Sequence, residues 1–109
     1  MSLLDYGLCR QTVTVYRQEA GALQRLVVKN CYYAYEERLD GGFDRKCLLI
    51  MPGDCQRVFA GDRVYDGIGP EEVDWEQFIP VQVPGLSQIA YTRPWFYGGV
   101  IQHVEAGKK

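Results

Sequence analysis

The chain has 109 residues, of which 47% are hydrophobic and 24% are charged, and its formal net charge is −2. These values fit one globular domain, residues 1–109, and exclude the disordered and fibrous classes of protein. The longest apolar run, about five residues at 47–51, is far shorter than the roughly 20 residues of a membrane helix. We therefore expect no membrane contact, and a cytoplasmic location, because residues 1–5 supply neither the basic start nor the apolar stretch of an export signal.

Short segments rich in β-branched and aromatic residues alternate with turn signals along the chain. In the first of them Val13 and Val15 point to one side of a predicted strand, and the neighbouring threonines point to the other. The Asp-Gly-Gly sequence at 40–42 is a hairpin signal between the second and third segments. The predicted strands, in chain order, are 11–16, 23–39, 43–51, 63–65, 87–93 and 100–105.

Three details refine this pattern. The alternation is imperfect around Asn30, which indicates a bulge or bend in a long strand. After Pro70 a run of acidic residues favours one or two helical turns, because proline and acids suit the first turn of a helix. The aromatic residues that follow Pro94 indicate a turn. About six strands with Gly-rich turns then predict a mainly β fold, a small single-domain β-barrel or barrel-like sandwich with at most one or two short helices.

The four cysteines lack the spacing of a metal site. None forms a C-x-x-C pair, and His103 is the single histidine, whereas a structural zinc ion needs four Cys or His ligands, two of them closely spaced. In a reducing cytosol we expect free thiols that pack as small core-facing residues, with no metal and no cofactor. The cysteines are Cys9, Cys31, Cys47 and Cys55.

No catalytic constellation is evident, so we predict that the protein is not an enzyme and has no catalytic residues. The sequence places no nucleophile beside His103, and a structural or interface role is its better interpretation. The acids at 71–76 lack the ligand spacing of a calcium loop; they predict a solvated helix start or, alternatively, an acidic docking face. The glycines at 67–69 and 98–99 match no phosphate-binding pattern and indicate turns.

Aromatic residues provide the strongest functional signal. Consecutive strand residues point to opposite faces. If the stretch after Pro94 is extended, its three aromatics therefore cannot all enter one core, and at least one should be exposed or held against a neighbour. Tyrosine and tryptophan are enriched at protein interfaces, whereas stacking on single-stranded nucleic acid needs clustered Lys and Arg, and few lie nearby. The candidate assembly interface comprises Trp75, Phe78, Trp95, Phe96 and Tyr97.

Six short motifs span nearly the whole chain. They are VVKNCYY at 27–33, LIMPG at 49–53, GDRVYDGIGP at 61–70, IAY at 89–91, RPW at 93–95 and HVEAG at 103–107. Their order resembles a family of small proteins of tailed phages and prophages, including the PBSX-type prophages of Gram-positive hosts. Members of that family are usually called minor capsid or head–tail connector proteins.

The resemblance implies a structural subunit of the neck ring between portal and tail, with portal or tail proteins as partners and a homo-oligomeric ring on assembly. It implies a location in the host cytoplasm before assembly and in the virion neck afterwards. Because the chain is acidic, we expect no specific nucleic-acid binding.

Two alternatives stay open. One is a small oligonucleotide-binding barrel, marked by Lys and Arg beside exposed aromatics on one face. The other is a small hydrolase or isomerase with a titratable acid in a deep pocket.

Overall fold

We describe a computed structural model of the chain over residue 7, residues 9–37 and residues 45–108, with the backbone alone at 35–37 and 45–48. The strands in this part of the chain are β1 (Gln11–Glu19), β2 (Ala22–Glu37), β3 (Arg45–Pro52), β4 (Arg63–Asp66), β5 (Leu86–Gln88), β6 (Tyr91–Tyr97) and β7 (Val100–Gly107). They form one antiparallel sheet in the spatial order β5-β4-β1-β2-β3-β7-β6. The sheet curls into a half-barrel, so the predicted mainly β, barrel-like fold is confirmed.

The long strand β2 belongs to both halves of the sheet. Its first half, up to Val28 opposite Val13, pairs with β1, and its second half pairs with β3. Between the two halves Asn30 has a φ of 58°, a left-handed conformation that asparagine tolerates better than most residues. The β1–β2 register also shifts there. The irregularity predicted around Asn30 is confirmed, whereas the hairpin predicted at 40–42 lies outside the described residues.

The chain passes directly from one edge strand of the sheet to the other. The backbone of Ile89 donates to Asp62 and accepts from Gly61, both at 2.8 Å, and the N–H group of Ala90 then donates to β7 at 2.8 Å. The backbone therefore changes its pairing partner between two consecutive residues. For this reason the single strand predicted at 87–93 is wrong, and the segment contains both β5 and the start of β6.

The last hairpin also differs from the prediction. Trp95, Phe96 and Tyr97 were expected in a turn, but they belong to β6. The turn itself is Gly98 and Gly99, whose φ values of 61° and 80° fit the two central residues of a type I′ turn. Glycine takes these values without steric cost, so the two glycines let the aromatic residues continue as a paired strand up to the turn.

The concave side of the half-barrel holds the main core. Alternate residues of the strands point to it, as the spacing of Val13 and Val15 predicts. Burial of one such side chain contributes about 1.5–3 kcal/mol to the free energy of folding. The cluster consists of Val13, Val15, Val28, Cys31, Tyr33, Leu49, Met51, Val58, Val64, Ile89, Val104 and Ala106.

Residues 67–85 cross the opposite face of the sheet and cover a second, smaller core around Tyr16 and Phe78. Two buried side chains of β1 hold the start of this segment. The Tyr16 hydroxyl donates to the Pro70 carbonyl at 2.6 Å, and the Thr14 hydroxyl donates to another carbonyl of the segment at 2.8 Å. These two hydrogen bonds connect the segment to β1 and make it part of the fold.

The acidic run after Pro70 forms a single turn. The N–H groups of Gln77 and Phe78 both bond the carbonyl of Asp74, at 3.0 and 2.9 Å. A second turn follows, in which the N–H groups of Gln82 and Val83 both bond the carbonyl of Ile79 at 3.0 Å. Across the described part of the chain, no helix is long and apolar enough to cross a membrane.

Candidate interaction surfaces

The end of the β6–β7 hairpin carries an exposed aromatic surface, which we call the aromatic tip and define as Trp95, Phe96, Tyr97 and Val100. Their side chains are 47%, 60%, 61% and 52% exposed. Tyr97 lies opposite Val100, and a register shift between Trp95 and Phe96 interrupts the strict alternation of faces. Three consecutive aromatic residues therefore remain in contact with solvent.

The base of the aromatic tip is held by a stacked pair. The rings of Trp95 and His103 are 5.9 Å apart and inclined at 22°, and His103 is buried. Its Nε2 atom lies 3.4 Å from a carboxylate oxygen of Glu105, and Glu105 lies opposite Arg93 in the register of β6 and β7. His103 thus has a structural position under Trp95, and Arg93, a cation on the same strand as the tip, has an acidic residue opposite it.

Trp75 and Phe78 lie elsewhere in the fold. The guanidinium of Arg63 stacks on the Trp75 ring at 3.7 Å and donates to the carbonyls of Trp75 and Phe78. Burial lowers the pKa of Arg63. Phe78 is buried, with its ring edge-to-face on Tyr16 at 4.6 Å. Phe78 is therefore a core residue of the free chain that exposes no surface to a partner, which corrects its place in the predicted interface.

Trp75 is half-buried and forms one wall of a cleft of about 450 Å³. We call it the Phe59 cleft, after another lining residue, which is 44% exposed. The cleft lies beside the turn before β4 and the end of β1. Its lining consists of Arg17, Gln18, Glu19, Phe59, Ala60, Gly61, Asp62 and Trp75.

An ion pair fixes the wall of the Phe59 cleft. Arg17 donates from Nε and Nη2 to the two carboxylate oxygens of Asp62, at 2.8 and 2.7 Å. The same carboxylate accepts the Phe59 N–H at 2.9 Å, and the Arg17 guanidinium lies 4.6 Å from the centre of the Phe59 ring. This neighbouring carboxylate raises the pKa of Arg17. Sequence reasoning missed this cluster, because the sequence marks Asp62 only as part of a turn.

The cleft and the aromatic tip lie at different places on the molecule. Gly61 and Asp62 of the cleft bond the backbone of Ile89, just before β6 begins. β6 is seven residues long and spans about 20 Å, and its last three residues belong to the tip. The predicted interface residues therefore separate into the tip, the cleft and the second core.

Two further arginines near the sheet bind carbonyl groups of their own chain. Arg25 donates to the carbonyls of Gly69 and Pro70, at 2.6 and 3.0 Å, and Arg57 donates to the carbonyl of Pro52 at 2.9 Å. Together with Arg17 they line a shallower groove of about 270 Å³. These guanidinium groups hold loops in place, and none of them lines the aromatic tip.

The cysteines do not share one environment. Cys9 and Cys31 are buried, as predicted, whereas Cys55 is exposed and corrects the expectation that all four face the core; the side chain of Cys47 lies outside the described part. Burial raises the pKa of the Cys31 thiol to about 11, which makes it a poor nucleophile. Among the described residues, no group of His, Cys, Asp and Glu is arranged to hold a metal ion.

Comparison of the chain with protein-family models, with curated protein sequences and with solved structures returned no match.

Proposed function

We propose that the protein is a structural subunit of a phage or prophage head–tail connector, and that it joins the neck through the aromatic tip. The observation that carries this proposal is the exposure of Trp95, Phe96 and Tyr97 together at the end of one hairpin. Contiguous exposed apolar side chains usually mark an interaction site. The motif order that resembles the connector family indicates which assembly the interaction serves.

The tip has the physical character of a protein-docking surface. Trp95 is held by its stack on the buried His103, and the Gly98–Gly99 turn closes the hairpin tightly. A side chain that is already ordered loses less entropy on binding. Aromatic residues also supply most of the energy of typical interface hot spots. The tip is thus suited to insert into an apolar site on a neighbouring subunit of the neck.

The nucleic-acid alternative has less support. A single-strand binder places several Lys or Arg residues beside its stacking aromatics. At the tip the nearby cation is Arg93, which lies opposite Glu105. The arginines of the groove bind carbonyls or Asp62, and the chain carries a net charge of −2. An acidic protein of this kind is suited to a channel through which DNA passes without adhering.

The enzyme alternative also has less support. The Phe59 cleft contains one buried acid, Asp62, but both of its oxygens accept hydrogen bonds from Arg17. The same carboxylate also accepts the Phe59 N–H group, so its hydrogen bonds serve to hold the wall of the cleft. We therefore propose no catalytic role for the cleft.

The proposed function is tested in a host that carries the encoding prophage, by deletion of the gene and by its replacement with variant alleles. We expect the deletion and Phe96→Ser to give DNA-filled heads without tails, counted by electron microscopy after induction. Val81→Ser, which changes another exposed apolar side chain away from the tip, should give tailed particles. Tailed particles from the deletion strain, or incorporation of folded Phe96→Ser protein at the wild-type level, would contradict the proposal.

A further inference from the structure

The described residues include an apolar projection and an aromatic-walled cleft that cannot meet within one molecule. The aromatic tip lies at the far end of β6, a strand about 20 Å long, whereas the backbone of Ile89, just before that strand begins, bonds two residues of the Phe59 cleft. We propose that the aromatic tip of one copy of the chain inserts into the Phe59 cleft of the next copy. This inference rests on the proposed function, because it assigns a partner to the same tip.

The walls of the cleft suit an aromatic guest. Phe59 is 44% exposed and is held by the Arg17 guanidinium above its ring. Trp75, also in the lining, is held by Arg63, which stacks on the ring and bonds the Trp75 carbonyl. Two aromatic walls are thus fixed before binding, which reduces the entropy lost when a guest enters. A volume of about 450 Å³ lies within the range of small-molecule pockets and leaves room for an aromatic side chain.

The charges of the two surfaces are compatible with this contact. The tip residues carry no charge, and the main charges of the cleft wall, Arg17 and Asp62, neutralise each other at 2.7 Å. An apolar guest therefore buries no ion without its partner. An unpaired buried charge is the main cost of covering a charged surface. Glu19, at the end of β1, is exposed and can stay in water at the rim.

The area of the contact predicts that it is weak by itself. Full burial of an aromatic side chain covers about 150–250 Å², and the three rings of the tip are about half exposed, so together they offer roughly 300 Å². With an equal area from the cleft, the contact buries about 600 Å², half of the roughly 1,200 Å² at which stable specific interfaces begin. The free chain is therefore monomeric when dilute.

The contact is heterologous, because a different surface is used on each copy. Repetition of such a contact generates a ring where the rotation closes and a filament where it does not. Closure of a ring, or attachment to a neck template, makes each further contact intramolecular and raises the overall avidity. A weak contact of this kind keeps subunits separate in the cytoplasm and joins them only on the growing neck.

Mixing of two complementary variants tests the inference. Phe96→Ser removes the centre of the tip and keeps the cleft, whereas Ala60→Glu places a charge in the cleft and keeps the tip. Ala60 is exposed, so both variants should fold, which circular dichroism checks. The weight-average mass is measured by sedimentation equilibrium at about 1 mM protein, where contacts with millimolar dissociation constants are substantially populated.

We expect the wild-type mass to rise with concentration beyond that of a dimer, and each variant alone to stay at the monomer mass. An equal mixture of the two should rise towards the dimer mass and stop there, because only one productive contact remains. Val81→Ser should behave as the wild type. Self-association of Ala60→Glu alone at the wild-type level would show a contact between two tips and overturn the inference. A wild-type chain that stays monomeric throughout would also overturn it, while the counts of tailed particles decide the proposed function separately.

Discussion

Arg17 and Asp62, which are 45 residues apart in the chain, form an ion pair with two hydrogen bonds of 2.8 and 2.7 Å. Asp62 is almost completely buried, and it also accepts the N–H group of Phe59 at 2.9 Å. The pair therefore connects the end of β1 to the turn before β4. It also fixes the wall of the Phe59 cleft, so stability and the shape of the cleft depend on the same contact.

Asp62→Ala should lower the free energy of unfolding by about 1–3 kcal/mol, because it leaves the Phe59 N–H and the Arg17 guanidinium without their acceptor. Arg17 is partly exposed, so water compensates some of the loss. Urea unfolding of Asp62→Ala, Arg17→Met and the double variant measures the coupling, which we expect to be about 1 kcal/mol. Losses that simply add in the double variant would show that the ion pair contributes nothing.

Thr14 should be necessary for the attachment of residues 67–85 to the sheet. Its buried hydroxyl donates to the Gly67 carbonyl at 2.8 Å and accepts the Gly69 N–H at 2.9 Å. Thr14→Val keeps the shape but leaves a buried N–H group and a partly buried carbonyl unpaired, so the free energy of unfolding should fall by about 2 kcal/mol. Thr14→Ser restores the hydroxyl and should recover most of that loss. Equal stability of the Val and Ser variants in urea would disprove the role of the hydrogen bonds.

Much of the fold follows from local sequence. The alternation of Val13 and Val15 predicts a strand with one buried face, and the broken alternation at Asn30 predicts the bend of β2. Each of these features depends on residues that are neighbours in the chain. The division of the predicted strand 87–93 into β5 and β6 does not depend on neighbouring residues. Ile89 and Ala90 change partners according to the positions of two distant segments.

The candidate site was predictable only in part. The sequence indicates that three consecutive aromatics in a strand leave some of them exposed, and in the structure all three are exposed at the tip. It does not distinguish Phe78 from Phe96, since the burial of Phe78 depends on Tyr16, 62 positions earlier (78 − 16). The Phe59 cleft likewise depends on contacts across the fold that leave no pattern in the local sequence.

The buried thiol of Cys31 should make the protein less stable in alkaline solution. Its pKa rises from 9.0 to about 11 in the folded chain because burial disfavours the thiolate. Below pH 9 the Cys31 thiol keeps its proton in both the folded and the unfolded chain, so its full contribution to the free energy of unfolding is present. Between about pH 9 and 11 mainly the unfolded thiol ionises, so the free energy of unfolding falls, by roughly 1–2 kcal/mol.

Urea unfolding at pH 8 and at pH 10.5 checks this prediction. Cys31→Ala should lose less stability between the two pH values than the wild type, because the titrating thiol is gone. Burial also raises the pKa of Tyr16, but that residue is present in both proteins and cancels in the comparison. Cys55→Ala removes an exposed thiol and serves as the matched control. An identical pH dependence in Cys31→Ala and the wild type would contradict the prediction.

Phe78 and Phe96 allow the same substitution to be compared in two environments. Phe78→Ala removes a ring that packs between Tyr16 and Tyr65, and truncation of a buried phenylalanine typically costs about 3–5 kcal/mol. Phe96 is 60% exposed, so Phe96→Ala should change the free energy of unfolding by no more than about 0.5 kcal/mol. Urea unfolding of both variants measures the contrast. A loss of several kcal/mol in Phe96→Ala would place the aromatic tip in the core and remove the basis for its role in assembly, whereas a stable Phe78→Ala would return Phe78 to the candidate interface.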